Sequence, residues 1–200
     1  MRPSVIVAAF VAFACAEPTA SHIQPLGASW MEWTAQVQEG QPLRVLIVGD
    51  QGCSGEYVRH YEVDQSNRAI VFNPYAIVPD EPCNLGIVPE LFTDAIDVSD
   101  LRAGTYQLKS RDQVFGEVVV TSDPPDAPPL VGAGSAQFVR DNDGCFRLRP
   151  AMTYFAHMLP LEDQADTTAS WSMAFVTGHI IEVATPVCRV STVFHLVSLK

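Results

Sequence analysis

The stretch Asp100-Leu101-Arg102-Ala103-Gly104-Thr105-Tyr106-Gln107-Leu108 decides how this chain folds. Its residues suit a turn that leads into a strand: Leu101 packs beneath a corner, Gly104 supplies a permissive backbone, and Tyr106 opens the strand with its hydroxyl free to bond back upstream. Outward from it, short β-branched and aromatic runs bounded by Gly, Pro, Asn and Asp recur at 43–48, 57–64, 69–72, 95–98, 104–110 and 114–121. Apolar residues at helical spacing are hard to find, so the pattern predicts an all-β protein, sandwich or barrel.

The turn-and-tyrosine stretch resembles the tyrosine corner of immunoglobulin-like sandwiches, a device that stabilises the crossing between two sheets. The resemblance implies an immunoglobulin-like β-sandwich over residues 30–123, with 114–121 as its last strand. It rests on one short motif and bears on architecture rather than function.

A composition break follows at Asp123-Pro124-Pro125-Asp126-Ala127-Pro128-Pro129. Proline has no N–H to give to a ladder and favours extended, semi-rigid backbone, so 124–129 is expected to be a Pro-rich linker between domains. Charge changes across it: residues 15–123 carry 16 acids and 6 bases, residues 124–200 only 7 acids and 5 bases. Beyond the linker, 136–140 and 145–149 flank Asp141-Asn142-Asp143-Gly144 as a hairpin. Further strands are expected at 170–177, 179–184 and 187–199, the last apolar on both faces and therefore central, while 152–161 fits a short helix or an irregular strand. About five strands in so short a segment predict a small β-barrel domain over 130–200, OB-like among the options, because closure removes edge strands.

The N-terminus has one positive residue, Arg2, an apolar run at 5–13 and a small-residue exit, Ala14-Cys15-Ala16. That run is far short of the ~20 residues that span a bilayer, so residues 1–14 are read as a signal peptide. Ala12-Phe13-Ala14-Cys15 resembles the lipobox of bacterial lipoproteins, which implies lipidation at Cys15 and a cut just before it. The family prefers an aliphatic residue where Ala12 stands, and simple removal of Cys15 with the signal is the alternative. Residues 15–29, with small residues, two prolines and little charge, are expected to form a flexible tether, and Ala16 after the cysteine implies an outer-membrane destination.

Setting Cys15 aside leaves an even set, Cys53, Cys83, Cys145 and Cys188. If each domain folds as a unit, Cys53 pairs with Cys83 and Cys145 with Cys188, each loop closure contributing up to about 4 kcal/mol. A zinc site is the rival, but these cysteines are not in the close pairs that structural zinc favours.

Of 200 residues 48% are hydrophobic and 18% charged, with a formal charge of −11, which rules out a disordered solvating chain. An acidic protein without a clustered basic footprint is not expected to bind nucleic acid. No catalytic residue is assigned. Gly52-Cys53-Ser54-Gly55-Glu56 misses the last glycine of a nucleophile elbow and no helix pattern follows it, and the nearby His60 falls in a strand run. Asp141-Asn142-Asp143-Gly144 lacks the later ligands of a calcium loop and reads as a turn, with Met152 where the twelfth-position carboxylate belongs. His179 and Glu182 point to opposite faces of a strand; with His22, His60, His157 and His195 scattered, no metal and no cofactor is expected. Glu162, Asp163 and Asp166 read as a solvated acidic loop, and Gly132-x-Gly134 lacks the third glycine of a dinucleotide loop. Arg147 and Arg149, with Arg140 and Arg189 nearby, suit either cross-strand ion pairs or a small anion contact.

Together these features predict a non-enzymatic, exported, lipid-anchored surface or periplasmic binding protein. Its expected partner is a protein, a glycan or another envelope component, and its contact with membrane is through the N-terminal lipid only. Two alternatives are a secreted hydrolase with a loop-assembled site and an inhibitor of exported proteases, so the enzyme question stays open.

Overall fold

The computed structural model describes residues 20–52, 55–80, 90–140, 146–150, 157–158, 174–187 and 190–199. Strands dominate and no helix occurs among the described residues, as the spacing of apolar residues predicts. Two sheets pack face to face. One contains β2 (Gly27–Thr34), β4 (Leu43–Gly52), β9 (Glu90–Val98) and β12 (Leu130–Arg140) in the order β12-β2-β4-β9, all neighbours antiparallel. The other has the order β3-β11-β10-β7-β6, formed by β3 (Gln36–Gln38), β6 (Tyr61–Asp64), β7 (Ala69–Phe72), β10 (Gly104–Ser110) and β11 (Gln113–Thr121). A third, small sheet, β1-β8-β5, consists of β1 (Ser21–Pro25), β5 (Glu56–Val58) and β8 (Tyr75–Pro79).

Alternation explains which residues meet. On β2, Met31 and Trp33 enter the core between the two large sheets, beside Val45 and Ile47 of β4, Ile96 of β9 and Tyr106, Leu108 and Val118 of the facing sheet. Trp30, on the opposite face of β2, enters a second core with Val48, Ala136, Leu148, Val176 and Phe194. From Val45 onward strand β4 is covered on both faces, which is why 45–48 reads as a continuous apolar run, whereas Arg44 just before it is exposed. Trp33 ties the sheets together: its Nε1 donates to the Glu117 carbonyl at 3.0 Å. Its ring lies where a Cβ on Gly116 would be only 2.6 Å away, so that position is closed to larger residues.

The corner predicted from 100–108 forms. Leu101 is buried, Gly104 has φ of 142°, and the Tyr106 hydroxyl accepts the Arg102 N–H at 3.2 Å, four residues upstream. The same hydroxyl donates to Gln65 Oε1 and accepts from Arg68 Nη1 at 2.9 Å, so the corner is also fastened to the turn between β6 and β7. Two pairings depart from an all-antiparallel sandwich: β7 lies parallel to β10, with Ile70 opposite Leu108, and β3 lies parallel to β11, with Val37 opposite Val120.

Strand β12 serves both halves of the chain. Its first part pairs with β2, Val131 opposite Trp33, and its last part uses the same edge to pair with β13 (Phe146–Pro150), Phe138 opposite Leu148. Its other edge pairs with β15 (Ala174–Val187), then come β16 (Val190–Leu199), β14 (His157–Met158) and β13, so the pairings β12-β13-β14-β16-β15-β12 close a ring. The segment 122–129 crosses from β11 to β12, and Val131 and Ala133 just beyond it are buried in the same core as Trp33.

Several local expectations are corrected. Residues 21–25 and 27–29, read as flexible tether, are strand: β1 pairs with β8 over five positions, and Leu26 between them is buried with its N–H on the Pro74 carbonyl at 2.9 Å. The run 57–64 is two strands in two sheets. The runs 170–177 and 179–184 are not separate from Ala174 onward, because β15 continues through Gly178 and the ladder irregularity there lies in its pairing with β16. Strand β16 is central in pairing, yet it is covered only in part, since Val197 is 59% and Leu199 56% exposed.

Candidate functional site

The hairpin turn between β10 and β11 folds over the corner between β1 and β2. Arg111, at φ of 51°, donates from Nε to the Leu26 carbonyl at 3.2 Å and from Nη2 to the Pro25 carbonyl. Buried Ser110 accepts the Ala28 N–H on its Oγ at 3.0 Å. At the end of β4, Asp50 Oδ1 accepts the Gly52 N–H at 2.7 Å, and Gln24 Nε2 donates to the Gln51 carbonyl at 3.3 Å. Between these walls lies an open cleft of about 590 Å³, with Gln24, Asp50, Arg111, Asp112 and Gln113 among its lining residues. Arg111 is turned to backbone carbonyls, so the groups offered to a ligand are two carboxylates and two amides. Such a lining can hydrogen-bond hydroxyls, amides or a cation.

A second cluster fastens the small sheet to β9. Asp94 accepts the Tyr57 hydroxyl at 3.0 Å and both Arg59 Nε, at 2.7 Å, and Arg59 Nη2. Tyr57 also stacks on Phe92, ring centroids 5.2 Å apart. Burial, then the hydrogen bond to Asp94, holds the Tyr57 hydroxyl well above its ordinary pKa near 10. Asp64 is lowered by the backbone N–H of Asn67, then by the Asn67 side chain and the Ser66 N–H, which organise the turn after β6. The carboxylate–guanidinium–phenol contact was invisible in sequence because β5 and β9 meet only through folding.

Gly52 closes β4 and Glu56 opens β5, so a strand follows the motif where an elbow needs a helix. Ser54 and all five cysteines, Cys15, Cys53, Cys83, Cys145 and Cys188, lie outside the described residues, as do residues 141–145 and the acidic residues at 162, 163 and 166. His60 is exposed, with Nε2 3.7 Å from Glu62 Oε1. Gly132 and Gly134 are interior to β12, and their reason is contact: a Cβ on Gly132 would meet the Trp30 ring at 2.8 Å, and one on Gly134 would strike the Ser29 carbonyl.

Arg147 and Arg149 flank buried Leu148 on β13 and so share the opposite face. The side chains of Arg140 and Arg189 are outside the described residues. His179 and Glu182 take alternate faces of β15, and His179 stands directly opposite His195 of β16. No group of three or more His, Cys, Asp or Glu suited to a metal occurs among the described residues, and no described helix is long and apolar enough to cross a membrane. Compared with family models, curated proteins and solved structures, the chain matches none of them.

Proposed function

We propose that this chain is a non-enzymatic, exported, lipid-anchored binding protein of the cell envelope. Residues 1–14 act as the signal, Cys15 as the lipid attachment, and the folded part presents loops and clefts to a protein, glycan or envelope component. The observation that carries this reading is the cleft over the β1–β2 corner: its walls are cross-fastened by side-chain-to-backbone bonds, which suits recognition without rearrangement.

Within this reading the sandwich is immunoglobulin-like, supported by the corner at Tyr106, and the second unit is an OB-like barrel, supported by its closed ring of pairings. Cys53–Cys83 and Cys145–Cys188 disulfides suit export. The acidic first unit favours a cationic or hydroxyl-rich partner at the cleft, and Arg147 and Arg149 offer an anion contact on the second.

Intact mass of the mature protein with and without reductant tests the anchor and the bridges together. The expected species begins at an acylated Cys15 and yields four alkylatable thiols only after reduction; an unacylated, fully soluble chain sinks the lipoprotein claim. For function, immobilised protein is offered a glycan panel and envelope extract. A defined component retained by wild type and lost with Asp50→Asn/Asp112→Asn is expected, whereas turnover in a broad hydrolase panel with nothing retained overturns it.

A further inference from the structure

We propose that His179 and His195 form a two-histidine chelate for a borderline divalent transition cation, on the face of β15 and β16 that points away from the second core. Register places the two residues directly opposite one another, between the pairs Ile180–Phe194 and Gly178–Leu196. Phe194, Ile180 and Leu196 belong to the second core, so strand alternation puts both imidazoles on the other face, where each is half-buried.

Directly opposed residues of an antiparallel pair have Cβ atoms about 4.5–5.5 Å apart. A tetrahedral cation bound at about 2.0–2.1 Å from one nitrogen of each ring needs those nitrogens roughly 3.3 Å apart, which rotation of two short side chains on that frame can reach. Each ring keeps its second nitrogen for a hydrogen-bond partner, the usual arrangement of a ligating histidine.

Apolar residues stand beside the pair in the ladders. Val131 stands opposite His179 on β12, and Ile181 opposite Val193 completes the next row. Among the described residues no third His, Cys, Asp or Glu joins the pair, so the cation would keep positions for water or a partner's ligand. Imidazole suits Zn²⁺, Ni²⁺ and Cu²⁺, and the Irving–Williams order places Cu²⁺ tightest of these. The site is independent of the cleft and of the binding function proposed above.

Zn²⁺ alone is the probe, titrated into the full mature chain with calorimetry and with NMR of the imidazole protons. One cation per chain, with shifts confined to the rings of His179 and His195, is expected. His179→Gln and His195→Gln keep polarity without the same ligand and should each weaken binding by more than about tenfold, the loss seen when even an outer-shell partner is removed. His60→Gln should leave binding unchanged. Unaltered affinity in a folded variant overturns the proposal, as does Zn²⁺ perturbing other rings first or no binding at millimolar metal. The wild-type ring shifts decide the matter on their own should both variants fail to fold.

Discussion

Replacing Trp30 by alanine tests whether the two halves of the chain unfold as one body. Trp30 has no exposed surface, its ring centroid lies 5.7 Å from that of Phe194, and Gly132 of the adjacent strand sits directly beneath it. Its Nε1 donates to Glu32 Oε1 at 2.9 Å. Truncation leaves a void among Val48, Ala136, Val176 and Phe194, and aromatic-to-alanine changes in such cores cost about 3–5 kcal/mol. For a chain of this size each kcal/mol lowers the melting midpoint by about 2–4 °C, so a fall of roughly 6–20 °C is expected.

The location of that loss is the sharper test. β2 carries Trp30 into one core and Met31 and Trp33 into the other, and β12 pairs with it across the proline segment. Urea unfolding followed by far-UV circular dichroism and by tryptophan fluorescence should therefore show coincident transitions in wild type and a common shift to lower urea in Trp30→Ala, with unchanged slope. A loss below about 1 kcal/mol would contradict the packing assigned to this ring. Two separated transitions, only one of which moves, would refute the cooperative junction.

Tyr106→Phe removes the hydroxyl shared by Arg102 N–H, Arg68 Nη1 and Gln65 Oε1, and should cost about 1–3 kcal/mol in the same urea experiment, because partly buried partners lose their bonds. A cost indistinguishable from zero would show that the corner is fastened elsewhere. Tyr57 has a raised pKa, so its stabilising contribution is complete below the unfolded value near 10 and fades as pH rises above it. Absorbance titration should show a step above the ordinary tyrosine range that Tyr57→Phe abolishes; a late region left unchanged by that substitution would rule out the burial assigned to Tyr57.

Much of the fold was legible locally. Residues 104–110 and 69–72 match β10 and β7 because β-branched and aromatic alternation ends sharply at Gly and turn residues there. β1, β2, β3 and β8 were missed. The segments of β1, β3 and β8, SHIQP, QVQ and YAIVP, are short and carry Pro, Gln or Ser, and β2, GASWMEWT, opens with small residues that read as tether; all four become strands through partners such as the β1–β8 and β2–β4 ladders rather than through propensity. The cleft was likewise unreadable, since its walls come from the β1–β2 corner, the end of β4 and the β10–β11 turn. Nothing near Arg111 in the chain points to its role, which comes from its guanidinium meeting the Pro25 and Leu26 carbonyls.

Pattern along the chain establishes the all-β class and the corner at Tyr106, because period-two alternation and turn chemistry are properties of neighbouring residues. Pairing is not. That β12 divides one edge between β2 and β13, that Asp94 receives Tyr57 and Arg59, and that His179 faces His195 all depend on which strands lie side by side and in what register. Register is chosen by burial of whole faces at once, a cooperative free energy that no local window of sequence contains.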